Sequence, residues 1–245
     1  MLTKGPPLVL FSTDHVATLL LILGLAVALP FLVRKVRSTA LARSIEWTMA
    51  VGLVVNEILK AYLWIVLAHY PWRWMLPLHL CSLAVVLTAW LLIRRQGQRM
   101  YEVVYFWGIG GTLQALFTPD IPYGFPHPFY VTYFISHGLI VIGVIYITLV
   151  FEMRPTLDSI RRVFLLTAAY ALLFIFPLNY LIDANYLYLR AKPSKASLMD
   201  FMGPWPWYIG SLALVATFLF FVCYAPFALS DALARRRAAR EAQSR

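Results

Sequence analysis

Cysteine and charge are both scarce in this sequence. Its 245 residues include two cysteines, Cys81 and Cys223, and both lie inside apolar runs. A disulfide framework of the secreted kind is therefore not indicated, and no CxxC spacing suggests a metal site. Charged residues make up 13% of the chain and hydrophobic residues 61%. Because apolar side chains exceed what a soluble core of this size needs, the composition indicates an integral membrane protein.

Further absences exclude other classes of protein. A retinal protein needs a lysine inside its last span, and residues 205–229 contain none. A zinc-dependent membrane hydrolase is expected to carry an HxxxH pair late in the chain, whereas no histidine follows His137. The net charge of +10 is spread over short basic clusters between apolar segments, which is not the pattern of a nucleic-acid-binding protein. We therefore expect no metal, no cofactor and no nucleic-acid partner.

Seven apolar runs are long enough to cross the ~30 Å hydrocarbon layer as helices. They are residues 12–33, 44–69, 75–93, 101–118, 128–151, 162–182 and 205–229. The first run ends in Arg34 and Lys35, where a signal peptide would have a small-residue cleavage site, so we interpret it as a retained helix. The predicted fold class is all-α, a polytopic membrane protein with a seven-transmembrane helix bundle. We expect one bundle domain, residues 1–230, followed by a basic cytoplasmic tail, residues 231–245.

The distribution of lysine and arginine predicts the orientation, because cytoplasmic loops carry an excess of both. Fifteen lie on one side: Arg34, Lys35, Arg37, Arg43, Arg94, Arg95, Arg99, Arg154, Arg161, Arg162, Arg235, Arg236, Arg237, Arg240 and Arg245. Five lie on the other: Lys4, Arg73, Arg190, Lys192 and Lys195. The N-terminus is therefore expected outside and the C-terminus in the cytoplasm, which agrees with an odd number of crossings.

Cys81 and His137 are polar groups placed at membrane depth, in the third and fifth runs. Such groups are costly there and usually mark a pathway or a reactive site. A rise of ~1.5 Å per residue puts Cys81 ~9 Å and His137 ~13 Å below the outer ends of their runs. Cysteine with histidine is a standard activated nucleophile, so this pair is the candidate catalytic site. Cys223 has no polar neighbours and is interpreted as a structural residue.

Other polar residues converge on the same outer half of the bundle. Glu57 and Lys60 lie three apart on the second run and either neutralise each other or contact substrate. His79 would point about 200° away from Cys81 on a helix, so we interpret it as a belt or interhelix residue. The candidates to support or orient His137 are Asp120, Asn179, Asp183 and Gln114. The candidate substrate-binding residues are Glu57, Lys60, Asn56, Asn185 and Arg190. For Asn56, Gln114 and Asn179 the sequence favours interhelical hydrogen bonds over a role in the site.

Four segments carry a resemblance to a known family. They are LPLHLCSL in the third run, FWGIGGTLQALFTPD in the fourth, YFISHG in the fifth, and NYLIDANYLYLRAKPSKASLMDFMGPWPWYI across the sixth and seventh. Together they resemble the YwaF-type integral membrane proteins, a bacterial family related to animal transmembrane protein 164. The resemblance covers most of residues 45–230. It implies a multi-pass protein of the bacterial plasma membrane.

The resemblance also implies an activity. The animal relative is regarded as a phospholipid acyltransferase with a catalytic cysteine and histidine, and those positions match Cys81 and His137. We therefore expect an acyl chain to move between phospholipid and lysolipid through a Cys81 thioester, with His137 as general base. The alternatives are a lipid-ester hydrolase with the same pair, or a transporter or sensor with a polar outer-leaflet cavity. The partners expected are the bilayer and a phospholipid or lysolipid substrate, and the sequence does not predict an oligomeric state.

Overall fold

The computed structural model describes residues 4–193 and 198–243, so that Lys195 and Arg245 of the charge count lie outside the described residues. It is all-α, and these residues contain no β-strand. The helices in chain order are α1 (Thr13–Val36), α2 (Thr39–Tyr62), α3 (Leu80–Arg94), α4 (Gln98–Tyr105), α5 (Thr112–Phe117), α6 (Pro128–Val150), α7 (Leu157–Ala169), α8 (Phe176–Leu181) and α9 (Trp207–Gln243). A π-helical turn, Leu63–Leu67, extends α2, and two more, Phe106–Gly111 and Tyr170–Ile175, join α4 to α5 and α7 to α8. Short 3₁₀ turns lie at Trp72–Trp74, Tyr186–Tyr188 and Leu198–Met202.

Five of these helical stretches are long and apolar enough to cross a membrane. They are Thr13–Val36, Thr39–Leu67, Pro128–Val150, Leu157–Leu181 and Trp207–Gln243. The all-α class and the membrane character are thereby confirmed. The stretch from α4 to α5 is not among the five, and α3 is a shorter apolar helix of 15 residues. The count of seven crossings and the orientation stay predictions.

Side-chain caps explain where several helices begin. Ser12 and Ser38 precede α1 and α2, and their hydroxyls accept hydrogen bonds from the backbone N–H groups of His15 and Leu41. Thr156 and Ser159 form a reciprocal capping box at the start of α7. Each cap satisfies a first-turn N–H group that has no partner inside the helix.

The third helix begins five residues later than its apolar run predicts. The run starts at residue 75, whereas α3 starts at Leu80. Pro77 explains the difference, because proline disfavours helical backbone at the residue before it and removes a backbone donor. His79, the residue before the helix, has extended backbone angles of φ −69° and ψ 147°. The depth derived for Cys81 from a helix beginning at residue 75 is therefore wrong, and Cys81 is the second residue of α3.

Helix α6 is the centre of the bundle. In its most apolar window 61% of the residues are buried, against 22% or less in the other four candidate spans. Glycines allow the close packing. A β-carbon at Gly138 would meet Ile22 of α1 at 2.9 Å, and one at Gly143 would meet Thr88 of α3 at 2.7 Å. His137 precedes Gly138, so it lies where neighbouring helices pack tightly around α6.

One end of the bundle holds two buried carboxylates among arginines, and we call it the arginine end. Glu46 is fully buried and binds Arg95 through two bonds of 2.6 and 2.8 Å, Arg43 at 3.2 Å and the Tyr146 hydroxyl at 3.0 Å. Glu102, which is 3% exposed, binds Arg162 at 3.0 Å through both of its carboxylate oxygens. Arg43, Arg95 and Arg162, which sequence analysis treats only as topology signals, therefore also neutralise buried charge.

Helix α9 does not end where the apolar run ends. It continues without a break through the basic residues to Gln243, a length of 37 residues. At ~1.5 Å per residue it rises ~55 Å, which exceeds the ~30 Å hydrocarbon layer. Residues 231–243 of the predicted tail are thus a helical extension, held to the bundle by a 2.7 Å ion pair between Arg154 and Asp231.

Candidate functional site

A cavity of about 620 Å³ lies at the end of the bundle opposite the arginine end, and we call this the cavity end. Its walls come from the second half of α2, from residues 70–82 around the start of α3, from Asp120 after α5, and from residues 183–193 after α8. Six of the residues singled out in the sequence line it: Glu57, Lys60, Asp120, Asp183, Asn185 and Arg190. Within the described chain its lining does not include Cys81, His137, Asn56, Gln114 or Asn179.

Glu57 and Lys60 form an ion pair inside the cavity. Their N–O distance is 2.6 Å, and the side chains are 17% and 19% exposed respectively. Both charges interact electrostatically with Cys81 and with His137. The pair therefore lies within electrostatic range of the two candidate catalytic groups, although those groups are not part of the cavity wall.

Cys81 lies in the first turn of α3, between two residues that face the cavity. His79, directly before the helix, and Ser82 both line it. The thiol is partly buried and lies 4.0 Å from the Thr112 hydroxyl, which is fully buried at the start of α5. No side chain caps the N-terminus of α3. The partial positive charge of this helix N-terminus favours negative charge on Cys81, whereas burial of the thiol opposes it.

His137 is held in one tautomer by its own helix. Its Nδ1 lies 2.9 Å from the backbone oxygen of Tyr133, one turn earlier on α6. A carbonyl oxygen only accepts hydrogen bonds, so Nδ1 carries the proton and Nε2 holds the lone pair of a base. The imidazole also stacks on the Tyr133 ring with 4.1 Å between the ring centroids, and the residue is only 8% exposed.

Helix α5 contacts Cys81 directly and His137 through Tyr133. Thr112 contacts the Cys81 sulfur, and the oxygen of Ala115, one turn further on, accepts a 3.0 Å hydrogen bond from the Tyr133 hydroxyl. Tyr133 in turn holds His137. A short helix of six residues thus contacts the thiol directly and the imidazole indirectly, through Tyr133.

The residues expected to orient His137 have other partners. Both ends of the Asn179 amide bind the backbone of Tyr186, at 2.9 and 2.7 Å. Asp183 pairs with Arg190 at 2.9 Å, and Asp120 accepts a 3.2 Å hydrogen bond from Tyr188. Gln114 is exposed. The backbone and ring of Tyr133 occupy the orienting position instead, because the helical i,i+4 spacing brings that carbonyl under the imidazole.

Two of the candidate substrate-binding residues carry structural hydrogen bonds. Asn56 is 5% exposed and donates a 2.9 Å bond to the Thr132 oxygen, which ties α2 to α6. The Asn185 amide oxygen accepts from the backbone N–H groups of Arg190 and Ala191, at 3.0 and 3.2 Å. Asn185 therefore folds residues 185–191 into a compact wall of the cavity, and Asn56 fits the interhelical interpretation.

The cavity residues that sequence analysis did not assign to the site include His79 and Tyr188. His79 was set aside on the assumption that it is helical, but it precedes α3 and its ring lies 4.9 Å from that of Tyr186. Pro77 is the signal that shows where α3 begins. Tyr188 meets Asp120 across 68 residues of sequence, which no local pattern shows. Burial and the Asp120 charge raise the pKa of Tyr188, so its hydroxyl remains a donor.

The described residues contain no group of three or more histidine, cysteine, aspartate or glutamate side chains that could hold a metal ion. The fold and the site together define a multi-pass α-helical membrane protein with a charged cavity at one end, a partly buried cysteine between two residues that line the cavity, and a buried histidine. The chain belongs to the TMEM164 family, whose family model matches residues 10–224. This confirms the relation to transmembrane protein 164, while the YwaF-type assignment stays a prediction. No curated protein and no solved structure matches the chain.

Proposed function

We propose that this protein is a membrane-embedded acyltransferase that moves a fatty acyl chain between phospholipid and lysolipid. The observation that carries the proposal is the tautomer of His137, whose Nε2 is a base because Nδ1 donates to the Tyr133 oxygen. It is supported by the position of Cys81 in the first turn of α3, where the helix dipole favours a thiolate. Family membership agrees with this assignment.

The reaction proceeds in two halves. Nε2 of His137 takes the Cys81 thiol proton, and the sulfur attacks the ester carbonyl of a phospholipid. A thioester bond forms, the ester C–O bond breaks, and the lysolipid oxygen leaves with the proton from His137. In the second half the hydroxyl of an acceptor lysolipid gives its proton to His137 and attacks the thioester. A new ester forms, and the Cys81 sulfur recovers the proton.

The bundle suits this chemistry if all seven helical stretches cross the membrane with the cavity end outside. A 15-residue α3 rises ~22 Å, so if its last residue, Arg94, lies at the cytoplasmic boundary, its first residue lies ~8 Å below the outer boundary of the ~30 Å hydrocarbon layer. Cys81 then lies just below the outer headgroups, close to the ester bonds of outer-leaflet lipids. The arginine end supports this orientation, because cytoplasmic loops carry an excess of arginine. Residues 1–230 are then the membrane domain, in a bacterial plasma membrane, and residues 231–245 are a cytoplasmic tail.

The test compares two cysteine variants with the wild-type protein in vesicles that contain a labelled phospholipid and a lysolipid. Cys81→Ala is expected to lose acyl transfer by at least about 10³-fold and to remain folded, because it removes the nucleophile. Cys223→Ala is the matched control and is expected to keep full activity. Intact transfer in Cys81→Ala would contradict the proposal, and release of free fatty acid in place of transfer would make the protein a hydrolase with the same pair.

A second candidate is a transporter or sensor with a polar cavity in which Cys81 is incidental. The π-helical turns in three of the helical stretches are compatible with it, because such turns occur often at functional sites of any kind. Labelling of Cys81 by a lipid-like thiol reagent separates the two functions. An enzyme predicts protection by phospholipid and slower labelling in His137→Ala, whereas a transporter predicts no dependence on either.

A further inference from the structure

An apolar groove lies between α2 and α3 on the outside of the bundle. Its volume is about 330 Å³, and every residue that lines it is alanine, valine, isoleucine or tryptophan. Ala50 of α2 and Ala89 of α3 are buried and form its floor. Val54, Val86 and Trp90 form its walls and are between 39% and 51% exposed. The groove is therefore open to the hydrocarbon that surrounds a membrane-spanning bundle.

The groove extends from the arginine end to the middle of α3. Its lining on α3 runs from Val86 to Ile93, which corresponds to ~10 Å of helix at ~1.5 Å per residue. The next residue, Arg94, is the last of α3. One leaflet contributes about half of the ~30 Å hydrocarbon layer. The groove therefore has the position and length to hold an acyl chain of a lipid from the leaflet at the arginine end.

Two arginine side chains contact the residues at this end of the groove. The Arg94 guanidinium lies over the Trp90 ring, 5.9 Å from its centroid. Arg43 donates a 3.1 Å hydrogen bond to the backbone oxygen of Ile93. Trp90 and Ile93 both line the groove, so its end at the arginine end lies beside two cations.

The positive charge at this end is not balanced. Glu46 is shared by Arg43 and Arg95. Within the described part of the chain, Arg94 forms no ion pair. These three arginines therefore exceed their single carboxylate by two charges. An excess of positive charge at the end of an apolar groove complements a lipid whose chain lies in the groove and whose phosphate lies at the membrane surface.

We propose that this groove binds an anionic phospholipid of the leaflet at the arginine end, with one acyl chain between α2 and α3 and the phosphate beside Arg94 and Arg43. A second copy of the chain fits less well, because a two-fold axis along the membrane normal would bring the same arginines of both copies together. In the proposed orientation this is the cytoplasmic leaflet, where basic pockets between transmembrane helices bind anionic headgroups. The inference does not rest on acyl transfer.

Lipid binding tests the inference directly. The full-length protein in neutral detergent is titrated with phosphatidylglycerol and phosphatidylcholine of equal chain length, and bound lipid is counted by native mass spectrometry. Phosphatidylglycerol is expected to bind about tenfold more tightly, because its net negative charge meets the excess of arginine. Arg94→Gln is expected to reduce this preference to about twofold. Val54→Trp, which fills the groove, is expected to weaken the binding of phosphatidylglycerol about tenfold.

Two matched variants are the controls. Arg161→Gln removes an exposed arginine of α7 at the same end, and Val27→Trp adds the same bulk at an exposed position of α1, so both are expected to bind as the parent protein does. Equal affinity for the two lipids in the parent would overturn the inference, and so would unchanged binding in both Arg94→Gln and Val54→Trp. A dimer that Val54→Trp dissociates would also overturn it, because the groove would then hold a second copy. Arg94 is exposed, so its variant remains informative even where Val54→Trp does not fold.

Discussion

The arginine end and the cavity end contain the same types of side chain in two different arrangements. At the arginine end Glu46 is fully buried and Arg43, Arg95 and Tyr146 satisfy it. At the cavity end Glu57 also pairs with a cation, Lys60, but both side chains stay partly exposed to a space of about 620 Å³. The first arrangement stabilises a packed bundle. The second leaves charge available to a ligand, which is the condition for a binding site.

The helix connections explain why the two ends differ. At the arginine end, three residues, 95–97, separate α3 from α4, and the caps are local. At the cavity end the connections are longer and fold into walls of their own. Residues 183–193 are held by Asn179 and Arg190, and residues 70–79 are held by Trp74, whose indole donates a 2.7 Å bond to the Asp183 oxygen. Irregular backbone at that end therefore creates the cavity.

The largest expected effect is the loss of acyl transfer when the candidate base at the cavity end is removed. His137→Gln removes the base but keeps a polar side chain, and acyl transfer is expected to fall by about 10²- to 10⁴-fold. Thermal unfolding is expected to shift little. His69→Asn is the control, because His69 is exposed at the same end and asparagine tolerates its left-handed backbone. Transfer at the wild-type rate in His137→Gln, measured with labelled phospholipid, would remove the histidine from the mechanism.

The next largest expected effect is a loss of stability when the buried carboxylate at the arginine end is neutralised. Glu46→Gln leaves Arg43 and Arg95 without their shared carboxylate, and the free energy of unfolding is expected to fall by about 3 kcal/mol, the lower end for a broken buried pair because the arginines are partly exposed. Glu152→Gln is the control. It breaks an exposed pair with Arg34 and is expected to cost less than about 1 kcal/mol. Denaturation in mild detergent measures both, and equal losses would contradict the contrast.

A smaller loss of stability is expected when the hydrogen bonds that hold residues 184–191 in the cavity wall are removed. Asn179→Ala removes the two hydrogen bonds between a fully buried amide and the Tyr186 backbone, which is expected to cost about 2 kcal/mol. Hydrogen exchange is expected to accelerate in residues 184–191 and to stay unchanged at the arginine end. Uniform acceleration over the whole chain would show that Asn179 supports the bundle rather than this wall.

The smallest expected loss of stability comes from a substitution at the cavity end that matches Glu46→Gln at the arginine end. Glu57→Gln makes the same change as Glu46→Gln, but on a carboxylate that is 17% exposed and has a single cation partner three residues away. Its cost in stability is expected to stay below about 1 kcal/mol. Acyl transfer is nevertheless expected to change, because this pair interacts with both Cys81 and His137. A loss of stability as large as that of Glu46→Gln would place Glu57 in the packed bundle and not in the site.

The apolar runs predicted the long helices well and their irregular ends poorly. The fifth run, 128–151, matches α6 at Pro128–Val150 within one residue, because its apolar side chains are continuous and proline fits the first helical position. The third run failed at its start, since hydropathy counts Pro77 and its neighbours as apolar without regard to backbone. The π-helical turns and the continuation of α9 through its basic residues have no signature in hydropathy either.

For the site, the sequence predicted the chemical types and the possible Glu57–Lys60 pair, but not the partners of His137 and Cys81. Glu57, Lys60, Asp120, Asp183, Asn185 and Arg190 do line one cavity. The partner of His137 was not predicted, because it is a backbone oxygen, which every residue carries. The contact between Thr112 and Cys81 was missed because it depends on how α5 packs against α3. Such contacts follow from tertiary packing, which a single sequence does not show.

The central claim is that Cys81 carries the acyl group, and the covalent intermediate tests it most directly. The protein is incubated with phospholipid in the absence of lysolipid, digested under mild acid, and its two cysteine-containing peptides are analysed by mass spectrometry. The account predicts an acyl adduct, labile to hydroxylamine, on the peptide that contains Cys81 and none on the peptide that contains Cys223. Turnover without an adduct on Cys81, or equal adducts on both cysteines, would contradict it.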